Sequence, residues 1–216
     1  RMTAGVRIRL LEVLEEAGLA GRAASISDGD LGLGNETAVP GQHHWPVYEI
    51  ENLLLDSPVL RSALAVLLRH DPYSDDASVA NALHQLATKL VPELALDEVQ
   101  YILNGELMNS IRVGADARDP LGGLRASCDG SRERIAKLDL ADLRIQGLLD
   151  QATKKLEESL RSGRFLQQFP GDRLLRGFAG LHGILGDHFR NACLDAAQRM
   201  GHRPDDMLKV LKDAIS

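Results

Sequence analysis

The chain has 216 residues, of which 44% are hydrophobic but only 4% aromatic, and it carries a formal net charge of -6 at pH 7. That length permits one large domain or two small ones, and the composition excludes bulk disorder. The acidic balance excludes unassisted, sequence-independent coating of DNA, while local basic patches or bound divalent cations still leave a route to phosphate.

Val6, Leu10, Leu11, Val13 and Leu14 recur at helical spacing, and Gly18 is placed to end that helix. "RAASIS" at 22–27 follows as a short strand, so the opening reads as half of a parallel α/β unit. Residues 32–46, with three glycines and two prolines, form a loop. "VYEI" at 47–50 is either a brief strand or the entry to a helix. A short helix follows, broken near Ser57-Pro58, then a second running to about His70 with Ser57 as its cap. "SVANALHQLATKLV" at 78–91 is amphipathic, with Val79, Leu83, Leu86 and Leu90 in phase and Pro92 closing it. Residues 95–113 make another helix, weakened by Gly105, and 114–123 a second loop. Residues 131–163 form one long charged helix or two joined near Asp139. "RFLQQF" at 164–169 reads as a strand returning to the front sheet, before a Pro-Gly turn, further helices and a last one at 203–216. Leu and Ala supply most of the apolar residues, so the chain leans towards helix throughout.

Several function classes fall away. Cys128 and Cys193 are the two cysteines, far apart and without zinc-site spacing, which fits a reduced cytoplasmic interior; Cys193 reads as core. No apolar run is long enough to span a membrane, and the N-terminal stretch lacks a signal-like cleavage site. No G-x-x-x-x-G-K-[ST] is present, so the chain has no P-loop of its own. His43-His44 is either a metal or phosphate ligand pair or, as adjacent loop histidines more often are, simply solvated, while His182 and His188 fall on a helical pattern without carboxylate or cysteine partners at ligand spacing.

Two acid clusters carry the chemistry. Asp28-Gly29-Asp30 follows a predicted strand, where α/β sheets gather ligands, and Gly29 allows both carboxylates to turn to one hard cation. The competing reading is a plain Asp-Gly-Asp turn. Glu49 and Glu51 share a face if the segment is extended and splay apart if it is helical; in a helix they are simply first-turn acids that favour the dipole.

The order "ISDGD", "HHWPVYEIENLLLD", "FPGDRLLRGF" and "RPDDMLKVL" resembles the Toprim portion of OLD-type (overcoming lysogenization defect) ATPase–nucleases. The resemblance implies an α/β fold: a small Toprim-like parallel sheet with flanking helices plus a larger helical insertion. Residues 1–74 would form the partial α/β segment with the acidic site, 75–163 the insertion, and 164–216 the return strand and helices. It implies metal-dependent phosphodiester cleavage with Mg²⁺ or Mn²⁺, DNA ahead of RNA as substrate, a role in phage defence, and an upstream ATPase domain or subunit as partner; a homo-oligomer is one of the states left open by the sequence. By position, Asp28 and Asp30 would be metal ligands, joined by Glu51 and Glu49, and Arg173 would contact phosphate. The alternative is a catalytically degenerate scaffold or regulatory module partnering an ATPase. A plain helical interaction protein is a third reading. Two departures from the family bear on this choice. The first-strand glutamate in "E-G-x-x-D" is expected upstream or on another chain, and Asp172 stands where the family has lysine.

Overall fold

The computed structural model describes residues 25–27, 42–44, 47–111, 119–204 and 208–212. Two three-residue strands, β1 (Ser25–Ser27) and β2 (Gln42–His44), pair in parallel with Ser25 opposite Gln42 and Ser27 opposite His44. A 3-10 helix spans Ile50–Leu54. Seven α-helices follow: α1 (Ser57–Leu68), α2 (Asp76–Ser110), α3 (Pro120–Ala136), α4 (Asp142–Arg161), α5 (Phe165–Gln168), α6 (Gly171–Gly180) and α7 (Gly186–Met200). Residues 208–212 are also helical.

The expected α/β architecture, a small Toprim-like parallel sheet with flanking helices, is not what the described residues form. They are overwhelmingly helical, and strand is confined to the β1–β2 pair. The segment expected to return as a strand, 164–169, instead makes the single helical turn α5. The reason lies in its two phenylalanines. Phe165 and Phe169 stand four residues apart, which puts both on one face of a helix, and both are buried with their rings edge to face at 6.2 Å. A strand would have aimed them the same way too, but with only Gln167 between them on that face. Burying that polar side chain would have cost free energy. At the front, "RAASIS" offers little of the β-branched and aromatic surface that long strands need.

The chain divides into two compact units, one holding the described residues of 1–88 and 159–216, the other residues 89–158. In the first, α1 packs most extensively on α7, and α6 packs on α7 and on the 3-10 helix. Val59, Leu60, Ala63 and Leu64 of α1, Leu174, Leu175, Phe178 and Ala179 of α6, and Phe189, Cys193 and Ala196 of α7 are buried. Each set follows helical spacing, one stripe per helix. Fully burying a Leu or Phe contributes on the order of 1.5–3 kcal/mol. The Phe178 ring lies between Tyr73, stacked at 5.8 Å, and Phe189, tilted at 5.8 Å. Gly177 lets α6 approach Leu86, since a Cβ there would lie 2.8 Å from both Leu86 methyl carbons.

In the second unit, Val91, Leu94, Ala95 and Val99 of α2 and Ala152 and Leu156 of α4 are buried. Lys155 pairs with Glu98 at 2.8 Å, and Arg144 pairs with Glu106. α2 runs on through Pro92 instead of closing there. The proline ring is exposed, and apolar residues stay in phase on both sides (Leu83, Ala87, then Leu94, Ala95), so packing holds the helix across one missing amide. α3 ends at Ala136 and α4 starts at Asp142, resolving the stretch around Asp139 into two helices.

Candidate functional site

Three sequence segments that lie far apart meet in the first unit. They are the stretch from Val47 to Asp56, the α5–α6 junction and the region from α7 to His202. Asn52 holds the centre. Its side chain is buried, and all its strong hydrogen-bonding capacity is used. Oδ1 accepts the Glu49 backbone N–H at 2.8 Å, and Nδ2 donates to the carbonyls of Leu166 and Phe169, both at 2.8 Å. A buried amide with every group paired fixes one geometry, because any shift leaves a polar group unsatisfied. The Tyr48 N–H adds a backbone bond to the Gln167 carbonyl at 2.7 Å.

Gly171 is part of the same joint. A Cβ on it would fall 2.5 Å from the Asn52 backbone nitrogen and 2.7 Å from Asn52 Oδ1. Only glycine lets the start of α6 come this close. Pro170, at the N-cap position, offers no side-chain acceptor, and Glu49 reaches across to supply one: its Oε2 accepts the Asp172 N–H at 2.9 Å. A carboxylate at the N-terminus of a ten-residue helix meets both unpaired amides and the positive end of the dipole.

Glu51 goes elsewhere. The backbone is extended at Glu49 and enters the 3-10 helix at Ile50, so the two acids diverge, one to α6 and the other to α7. Glu51 Oε1 lies 3.8 Å from Arg190 Nη1, with 20% of its side chain exposed. Arg190 also faces Asp187 at 4.0 Å; Arg176 reaches Asp187 at 3.8 Å and hydrogen-bonds Asp172 at 2.9 Å. The result is an alternating chain of charge, Glu51–Arg190–Asp187–Arg176–Asp172. The Asp172 hydrogen bond raises the Arg176 pKa further above its ordinary value. His202 closes the joint from the far side, its Nε2 3.2 Å from the Leu53 carbonyl and its Nδ1 3.2 Å from Asp56.

Glu49 and Glu51 are thus brought into one neighbourhood but turned to different helices. Arg173 lies in the first turn of α6, partly exposed and engaged in its own interaction. Asp28 and Asp30 lie outside the described residues, so their separation from Glu51 is not part of this geometry. Among the described residues, no group of three or more His, Cys, Asp and Glu side chains is gathered to hold a metal ion, and no helix is long and apolar enough to cross a membrane. Asn52, Gly171, Arg190 and His202 are the site residues that motif reasoning missed. The available signal was Asn52 itself, a lone amide inside the apolar run "ENLLLD".

No protein-family model, curated protein or solved structure matches this chain.

Proposed function

We propose that the chain is a non-catalytic scaffold or regulatory module that partners an ATPase. One observation carries this reading. The acids of the "YEIEN" motif serve the fold, Glu49 as the cap of α6 and Glu51 as the counter-charge of Arg190. Two of the four segments that carry the resemblance, "HHWPVYEIENLLLD" and "FPGDRLLRGF", close on one another through Asn52 and Gly171, which supports a structural joint as the reason for their pattern. Asp172, in the place of the family lysine, is tied to Arg176, so this position offers acid where phosphate chemistry needs a cation.

The test is a cleavage assay of the whole chain on plasmid and single-stranded substrates, with Mg²⁺ or Mn²⁺ and with EDTA. No metal-dependent cleavage is expected. Cleavage that requires metal and is abolished by Asp28→Ala overturns the module reading.

That outcome would favour a second reading, metal-dependent phosphodiester cleavage by this chain. The observation on its side is the parallel β1–β2 pair. Asp28 and Asp30 follow Ser27 of β1 in the sequence, and α/β sheets gather ligands at the carboxyl ends of parallel strands. In this reading Asp28 and Asp30 bind Mg²⁺ or Mn²⁺, Glu51 assists, and Arg173 contacts phosphate. The metal would offset phosphate charge and generate hydroxide.

A further inference from the structure

Helix α3 presents an apolar seam to solvent. Leu121, Leu124, Cys128 and Ile135 fall at intervals of three, four and seven residues, and the one position of this coiled-coil spacing that they skip is Ser131, which is polar and buried. All four are exposed, Leu121 by 60% and Leu124 by 41%. The helix turns inward from Ser131 round to Arg134: Ser131 bonds the Ser127 carbonyl at 2.9 Å, and Arg134 donates to the Ser110 carbonyl at 3.1 Å. α3 is also a poor helix by composition, with Gly122, Gly123 and Gly130 among its 17 residues. Each interior glycine costs about 1 kcal/mol relative to alanine. A helix this weak, with its best apolar residues exposed among the described residues, gains most when something covers the seam.

Charge says what. On the open side the seam is bordered by Arg125 and Arg132, one heptad apart and both exposed. Arg132 pairs with Asp129 at 2.9 Å, but both side chains are largely in water, so the pair is weak. The acids of α3, Asp129 and Glu133, lie further round the helix, away from the seam. An antiparallel second copy would set these arginines against the same arginines, and flanking charge of this kind selects the partner. We propose that this face of α3 docks an amphipathic helix of a partner protein with apolar core positions and carboxylates along its flank. The inference does not depend on the functional reading above.

The probes are two synthetic three-heptad peptides with leucine core positions, one flanked by glutamates and one by lysines, titrated against the full chain by fluorescence anisotropy. The glutamate peptide is expected to bind more tightly than the lysine peptide by about fivefold, as two exposed charge pairs provide. Leu124→Asp weakens its binding by about tenfold or more. The double variant R125E/R132E reverses the preference. Because both arginines are exposed, it keeps the helical circular-dichroism signal and decides the matter even where Leu124→Asp disturbs folding. Failure of both peptides to bind, equal binding of the two, or a homodimer in sedimentation that Leu124→Asp dissociates (a second copy on the seam) overturns the proposal.

Discussion

Asn52 illustrates how much a single side chain can settle. Replacing it with Ala leaves the Leu166 and Phe169 carbonyls and the Glu49 amide without partners in a part-buried joint. At roughly 1 kcal/mol or more for each group left unsatisfied, Asn52→Ala should cost about 3 kcal/mol in urea unfolding. Gly171→Ala, which adds one methyl against the Asn52 amide, should cost about 1–3 kcal/mol. Cys193 shows burial acting on chemistry. Its thiol is fully buried, and desolvation pushes its pKa up to about 12, whereas exposed Cys128 has no such shield. A thiol reagent at pH 8 should label one cysteine per folded chain and two in urea. The raised pKa also sets a sign. Any stability linked to the neutral Cys193 thiol is complete below the unfolded value near ~8.5 and declines as pH climbs towards about 12. His182 runs the other way. Burial lowers its pKa, and its Nε2 sits 3.0 Å from the Tyr73 hydroxyl. The folded state therefore resists protonating it, so this contribution is present above the unfolded value near ~6.5 and fades on acidification. Urea midpoints at pH 7.5 and 5.5 should fall more in the wild type than in His182→Gln.

At the level of elements, apolar spacing was a reliable guide and backbone punctuation was not. The helix expected after Ser57-Pro58 forms at Ser57–Leu68, though Asp56 rather than Ser57 stands at its cap. Pro92 was expected to stop a helix and does not, because the buried stripe on either side outweighs one lost hydrogen bond. The stretch 114–123 was expected as loop, yet α3 already begins at Pro120, with Asp119 capping it by accepting the Gly122 N–H at 3.0 Å. The Asp-Pro step read as loop chemistry is equally a helix start. Gly105 was expected to weaken its helix, and the surroundings give that a measurable form. A Cβ at this position meets nothing within 4 Å. Gly105→Ala should therefore raise stability by about 0.5–1 kcal/mol in thermal unfolding, since it restricts the unfolded chain without a clash.

Across the whole molecule, the expected sheet was the largest misreading. "RFLQQF" has apolar residues that suit a strand as well as a helical turn, and only the tertiary burial of Phe165 and Phe169 decides between them. The bond from the Asp172 N–H to Glu49 was not legible, because a carboxylate that caps a distant helix looks in sequence like any other acid of its cluster. Far-UV circular dichroism of the full chain should be dominated by helix, with double minima near about 208 and 222 nm; a spectrum dominated by strand would contradict the architecture. The joint at Asn52 also has a bearing on synthesis. Its partners lie 114 and 117 residues further along the chain, and His202 reaches back 149 residues to Leu53. The chain as far as His202 must therefore leave the ribosome before Asn52 and Leu53 find all their counterparts. During that interval the greasy stripe of Val59, Leu60 and Leu64 has no α7 to lie against, so nascent chains stalled before residue 165 should be strong clients for holding chaperones.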